Sequence, residues 1–458
     1  MRIAVLNGSP KGMTSITMQY VLFLQKKLPQ HQFTILHVCQ DIKRLEEDAT
    51  AFAEVLRAVE SADAVLWAFP LYVLLVHAHY KRFIELIFER GAQAAFQEKY
   101  TAALSTSIHF FDHTAHAYLH GICDDLDMRF VGSYSAAMYD LLEEDERRRL
   151  LAFAEAFLRA VEERGPTQKQ FFPVAGDPIS YQPGPTPVKL STGGKKVIVV
   201  TDADDPQENL GRMTEKLRAC FSDPVEVVNL HQIAIRNGCQ GCIQCGLDNV
   251  CIYRQADEVY ATYQKLMPAD ALIFGGSIKD RYLSSRWKLF WDRGFFHNHV
   301  PMFLGKQIGW IISGPLAQIP NLRQILEAGV EFQQANLLGI VTDEAGDSGQ
   351  LDRLLEGLAG RLVESASSGY VGPPSFFGVA GRKLFRDEIW QSLRFVFHAD
   401  HRYYKRHGLY DFPKRSLATR LRDATFMLLT KIPSFRREFR KRMRSEMVKP
   451  LQELLERL

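Results

Sequence analysis

Long apolar runs are missing from these 458 residues. No stretch has the roughly 20 consecutive apolar positions that a membrane-crossing helix needs. A secretory leader is not evident either: Arg2-Ile-Ala-Val-Leu6 is short and runs straight into a Gly-Ser-Pro turn. Cysteine is sparse outside one place. Of seven, Cys39, Cys123 and Cys220 are scattered, and the other four crowd into Cys239–Cys251. A disulfide-built secreted scaffold is therefore not expected, and the crowded four read as a metal or redox site in a reducing compartment. These absences lead to the expectation of a cytoplasmic protein. A phosphate loop of the Gly-Lys-Ser/Thr type is lacking as well, which argues against a Walker-type nucleotidase.

What is present is a repeat. Arg2-Ile-Ala-Val-Leu6 matches Lys196-Val-Ile-Val-Val200 at an offset of 194. Ala62-Asp-Ala-Val-Leu-Trp67 matches Ala269-Asp-Ala-Leu-Ile-Phe274 at an offset of 207, and that phase persists. Lys81 falls on Lys288, Phe83 on Phe290, Glu85 on Asp292, and Gly132 on Gly339. The offset grows by 13 residues, and the cysteine-bearing stretch of the second copy is the expected insertion. Each copy alternates apolar strand runs with amphipathic segments. In the first copy, strands are predicted at Arg2–Leu6, Gln32–His37, Ala64–Phe69, Tyr100–Thr106 and Met128–Ser133. Helices are predicted near Thr14–Lys27, Glu46–Ser61, Ala78–Arg90 and Glu143–Glu163. Five such strands with crossover helices imply a parallel sheet covered on both faces.

The predicted boundaries are a first domain at 1–165, a proline-rich linker at 166–194, a second domain at 195–368, and a basic aromatic helical extension at 369–458. Pro166, Pro173, Pro178, Pro183, Pro185 and Pro187 mark the linker. From Arg382 onward there are 20 Lys+Arg against 9 Asp+Glu, a net +11, which leaves −8 for the rest of a chain whose total is +3. An acidic protein or an anionic membrane surface suits such an extension, as does simple packing on the acidic body. Nucleic acid is not expected, because no binding motif accompanies the charge.

In a doubly wound sheet, ligands bind beyond the carboxyl ends of the strands at the switch in strand order. Three loops of the first copy fall there. Asn7-Gly-Ser-Pro-Lys-Gly-Met-Thr-Ser15 joins small residues and hydroxyls to a helix N-terminus, the makings of a phosphate cradle. Phe69-Pro-Leu-Tyr72 offers a rigid proline and an aromatic as a wall for a flat ring, and Thr106-Ser107-Ile-His109 offers polar groups. The second copy departs from this. Its first loop, Thr201-Asp-Ala-Asp-Asp-Pro-Gln207, has three carboxylates that would repel a phosphate, and its second has no Pro-x-Tyr.

Asn-Gly-Ser-Pro after the first strand, then Pro-Leu-Tyr followed by Lys81 and Glu85, resembles the flavodoxin-like NAD(P)H-dependent FMN reductases. The resemblance extends over both copies and implies two tandem flavodoxin-like doubly wound sheets plus the helical extension. It also implies FMN as cofactor and NAD(P)H as electron donor. The roles it implies are FMN phosphate binding by Ser9, Lys11, Thr14 and Ser15, contact of Pro70, Leu71 and Tyr72 with the isoalloxazine, and approach of Thr106 and Ser107 to the ring. No catalytic acid or base is evident.

Cys239, Cys242, Cys245 and Cys251 follow C-x2-C-x2-C-x5-C. That spacing serves a [4Fe–4S] cluster, a zinc ion or plain thiols. It is similar to the motif of the iron–sulfur flavoproteins, in which cluster and flavin meet across a subunit contact. The corresponding expectation is a pseudo-dimer within one chain, with the cysteine loop of the second copy facing the flavin loops of the first. The function expected is an oxidoreductase passing electrons to a small-molecule or protein acceptor. The alternatives are an electron-transfer flavoprotein docking on a protein partner and a non-enzymatic membrane-peripheral protein.

Overall fold

The computed structural model describes every residue except 176–177, 298 and 414–415, and the side chain at 444. Small parts of the linker and of the basic extension thus lie outside the described residues. Met1–Tyr403 forms one compact unit and Tyr404–Leu458 another.

Within the first unit, β1 (Arg2–Asn7), β2 (Gln32–Leu36), β3 (Ala64–Pro70), β4 (Tyr100–Ser107) and β5 (Arg129–Ala137) make a parallel sheet in the order β2-β1-β3-β4-β5. This is the flavodoxin-like order, with its switch between β1 and β3. β1, β3 and β4 are buried nearly throughout, as the interior strands of a sheet covered on both faces must be, and β4 ends in the hydroxyls of Ser105, Thr106 and Ser107. The helices are α1 (Ile16–Lys27), α2 (Ile42–Glu47), α3 (Ala49–Ser61), α4 (Ala78–Glu89), α5 (Asp112–Asp125) and α6 (Glu144–Glu162). Ser15 caps α1 by accepting from the Met18 N–H, and Asp48 caps α3 in the same way through Thr50 and Ala51. Helix α5 was not anticipated. Its buried positions run Thr114–His116, Tyr118, Leu119 and Gly121–Asp124, nearly all round, so it shows no one-sided stripe.

The second sheet comprises β6 (Val197–Thr201), β7 (Glu226–Asn229), β8 (Ala271–Lys279), β9 (Tyr282–Leu283), β10 (Gln307–Ser313) and β11 (Asn336–Thr342). Its path β7-β6-β8-β10-β11 repeats the first order, with β9 added antiparallel to β8. Its helices are α7 (Asn209–Ala219), α8 (Val259–Leu266), α9 (Ser285–Arg293), α10 (Pro320–Phe332) and α11 (Ser348–Ser368). The repeat extends to irregularities. The β4–β5 register slips between Thr101 and Ala102, and the β10–β11 register slips between Ile308 and Gly309, at the same offset of 207. The cysteine stretch lies between β7 and α8, where the first copy has the short helix α2. Helix α12 (Phe376–Trp390) packs on α10. Further on come α13 (His398–Arg406), α14 (Leu417–Leu429) and α15 (Pro433–Leu455). No helix of the described residues is long and apolar enough to cross a membrane.

The two sheets meet through α4 and α9. The Lys81 ammonium donates to the Lys279 carbonyl at 2.9 Å, and the Lys288 ammonium donates to the Tyr72 carbonyl at 3.0 Å. The Ser285 N–H donates to Glu85 at 2.6 Å, and the Ala78 N–H donates to Asp292 at 2.8 Å. Each bond of one pair becomes the other when 207 is added or subtracted. Lys81, Glu85, Lys288 and Asp292 are all buried, and each lysine is paired with the acid one turn on in its own helix. Two buried ion pairs are thus compensated by hydrogen bonds to the opposite copy, the condition under which such pairs are tolerated. Lys288→Met removes the bond to Tyr72 and leaves Asp292 as a buried carboxylate without its cation. We expect a loss of about 3–5 kcal/mol of unfolding free energy in urea denaturation; a variant as stable as the parent would show that the pair contributes nothing.

Candidate functional site

The three loops of the first copy converge on one cavity of about 310 Å³, within the size range of small-molecule sites. Ser9, Lys11, Ser15, Pro70, Leu71, Tyr72, Thr106 and Ser107 all line it. Thr14 does not: it is exposed, and its hydroxyl donates to the Lys11 carbonyl at 2.8 Å. The first loop is braced from within. The Ser9 N–H donates to the Asn7 amide oxygen at 3.0 Å, and the Lys11 N–H donates to the Ser9 hydroxyl at 3.2 Å. Gly8 sits so close to its neighbours that a Cβ would lie 2.8 Å from the Phe69 Cβ and 2.9 Å from the Tyr80 ring. Burial lowers the proton affinity of Lys11, while Cys239 and Cys242 oppose that shift.

After Pro70 the chain folds back on itself between Tyr72 and Leu75, with Val73 and Leu74 at φ of 35° and 65°. These are unfavourable values for side chains of this kind, the sort of strain that clusters at binding sites. Behind Thr106, the Thr17 and Thr106 hydroxyls share a 2.6 Å hydrogen bond. Ser107 accepts from the His109 N–H at 2.8 Å, fixing the fourth-strand loop.

The cysteine stretch lies against this site. Gly241 and Ile243 line the same cavity. Gly241 has φ +57°, and a Cβ there would be 2.2 Å from the Tyr72 hydroxyl and 2.7 Å from the Lys11 Cε, so only glycine fits. Two histidines of the first copy hold the stretch in place. The Cys239 carbonyl accepts from His77 Nε2 at 2.9 Å, and the Gly238 N–H donates to His79 Nε2 at 3.2 Å. Burial holds both imidazoles neutral, with pKa values pushed down to about 3. His77 Nδ1 meets the Cys39 thiol at 3.2 Å, so each ring serves as a hydrogen-bond bridge. This latch has no local signature, because its members come from three separate segments.

Cys239, Cys242, Cys245 and Cys251 together line a second, small pocket with Arg293 and Tyr253. Burial pushes the Cys239 thiol up to about 12, with Asp292, Cys251 and Cys242 adding to the rise, and burial raises Cys245 as well, with Cys239, Cys242, Cys251 and Asp400 adding to it. Among the described residues, the only set of three or more potential metal ligands with donor atoms within 4.8 Å of one another is Cys39, His77 and His79.

In the second copy the corresponding place is occupied by the chain's own groups. Asn209, at the place of Ser15, spends its amide on the linker: it donates to the Ile179 carbonyl at 2.6 Å and accepts from the Tyr181 N–H at 3.0 Å. The Tyr181 ring is buried in the core of the second sheet, and its hydroxyl meets Asp352 at 2.5 Å. At the place of Gly8 stands Asp202, buried and accepting from the Ser277 N–H and the Ser284 hydroxyl.

Residues 1–140 match the family described as NADPH-dependent FMN reductase, a span that includes all five strands of the first sheet. The first domain carries the FMN reductase fold. Solved structures similar to the chain include FerB, a flavoenzyme NAD(P)H:(acceptor) oxidoreductase from Paracoccus denitrificans. It is 22% identical, with 36% of this chain and 99% of that one covered and a TM-score of 0.31. An apo NADH:FMN oxidoreductase is 20% identical over 35% of this chain and 89% of its own, with a TM-score of 0.30. An FMN-dependent NADH-azoreductase from Bacillus anthracis is 10% identical over 36% of this chain and 97% of its own, with a TM-score of 0.25. No curated protein matches the chain.

Burial raises the Asp202 carboxyl to about 7. Its contribution to stability is full below the ordinary carboxylate range and is lost as pH rises through 7. Asp202→Asn should therefore be more stable than the parent at pH 8, by on the order of 2–4 kcal/mol, with the gap shrinking to less than half of that at pH 5. Thermal melts at both pH values check this; an equal gap at both would place the ionised form outside the core.

Proposed function

We propose that the chain is an FMN-dependent oxidoreductase that takes electrons from NAD(P)H and passes them to an acceptor. The observation that carries this is the convergence of three loops of the FMN reductase fold on one cavity. The residues present suit the cofactor. Ser9, Ser15 and the amino end of α1 offer hydrogen-bond donors and a positive dipole to a phosphate, and Lys11 offers a cation. Pro70, Leu71 and Tyr72 give a flat, largely apolar face for the ring, with Thr106 and Ser107 at a polar edge. FMN, when bound, supplies hydride and single-electron chemistry. The chain's part is to fix the phosphate, keep the ring against Tyr72, and exclude water with the cysteine loop.

A [4Fe–4S] cluster on Cys239, Cys242, Cys245 and Cys251 is part of this proposal. Four thiols around one pocket support it. The second domain then acts as the partner of the first, a pseudo-dimer in one chain. The reciprocal bonds between α4 and α9 and the seat of Gly241 on Tyr72 support that reading.

Anaerobically purified protein should show flavin absorption together with a broad iron–sulfur shoulder. Ser15→Asp keeps the helix cap but sets a carboxylate where the phosphate belongs, and should weaken FMN binding at least tenfold. Cys242→Ser should lose the shoulder and keep the flavin bands. A parent protein that stays colourless with excess FMN sinks the proposal.

A further inference from the structure

The unit formed by Tyr404–Leu458 ends in a helix pair with almost no interior. Phe426 of α14 meets Phe435 and Phe439 of α15, with ring centres 6.5 and 6.4 Å apart. Across the turn, the Arg436 guanidinium donates to the Thr430 carbonyl at 2.8 Å. Helix α14 has no buried residue, and among the described side chains of α15 only Phe435 is not exposed. A helix in water draws most of its stability from an apolar face packed on something. Within this unit those faces are bare.

The faces are also ordered. At about 100° per residue, Met447, Val448, Leu451, Leu454 and Leu455 fall within roughly 120° of the circumference of α15. Glu446, Lys449, Gln452 and Glu453 take the opposite side. Met447 and Leu455 are 73% and 70% exposed. In α14, Leu417, Leu421, Ala424 and Leu428 recur every three or four residues, and the three leucines are exposed as well. Arg437 and Arg440 lie earlier in α15 on the sector of its apolar stripe, with Lys441 beside them. Arg442 pairs with Glu438 at 2.8 Å, but among the described residues no carboxylate pairs with Arg437, Arg440 or Lys441. Residues 416–458 carry 11 Lys+Arg against 5 Asp+Glu, a net +6.

We propose that α14 and α15 dock on the surface of an anionic lipid bilayer, with the cations at the headgroups and the aliphatic stripe among the acyl chains. Unpaired cations followed by a bare stripe on one side of a helix match charged headgroups bordering hydrocarbon. Neither helix is long and apolar enough to cross, so the pair lies along the surface. A second copy of the chain would set +6 against +6. A polyanion without acyl chains would leave the stripe in water. The docking does not depend on the flavin reading.

Full-length protein is sedimented with vesicles of phosphatidylcholine alone and with vesicles containing about one-third phosphatidylglycerol. Its partition coefficient should be at least tenfold higher on the anionic vesicles and should fall as salt screens the charge. Arg437→Glu, Arg440→Glu and Lys441→Glu together should bring it down to the value on neutral vesicles. Leu451→Gln with Leu455→Gln leaves the charge unchanged and should lower it at least tenfold. All five positions are exposed, so both variants should melt where the parent does. Equal partition of the parent on the two vesicles, no binding to either, or a leucine variant that binds as tightly as the parent would each overturn the proposal. Tighter binding to poly-glutamate than to anionic vesicles would overturn it in favour of an acidic protein. A parent dimer in sedimentation velocity that the leucine substitutions dissolve would do so in favour of a second copy.

Discussion

Everything about the site depends on how α4 and α9 bury their lysines. A lysine and an acid taken out of water together are costly unless the remaining donors and acceptors are satisfied. Neither helix does this alone. Lys81 needs the carbonyl of Lys279, Lys288 needs that of Tyr72, and both acids take N–H groups from the opposite helix. Tyr72 is thereby tied by its backbone to the second sheet and faces the cavity with its ring. The same contact brings the cysteine stretch close enough for His77 and His79 to hold it.

The two copies answer the same topological place in opposite ways. One leaves hydroxyls and a cation around an open cleft. The other fills it with a tyrosine from the preceding linker and turns Asn209, the first residue of α7, to that tyrosine's backbone. A buried carboxyl at Asp202 reinforces the difference, since an anion would have to enter beside it. The divergence lies in side chains at a handful of loop positions; strand order and even the bulge before Ala102 and Gly309 are kept.

Much of the fold could be read from the chain because buried parallel strands are nearly pure apolar runs and the repeat keeps its phase from Ala62 onward. The three loops around the cavity were legible for a related reason: each follows a strand that was itself legible. Helix α5 was not, since burial on nearly all sides erases the stripe that reveals a helix. The linker's prolines spoke for an extended chain and said nothing of where Tyr181 would go. The apolar end of the cavity draws on residues from Phe110 to Phe397. Such a site has no local pattern.

The bonds between α4 and α9 join two halves of a single polypeptide, so their formation is unimolecular. A pocket assembled from separate subunits comes apart when diluted, according to mass action. Here the halves cannot drift away from each other, and the local concentration of one for the other is set by the length of the strand connecting them. A cavity shared by both halves therefore keeps its walls in the most dilute solution, and each wall is free to change its sequence without copying the change to the other.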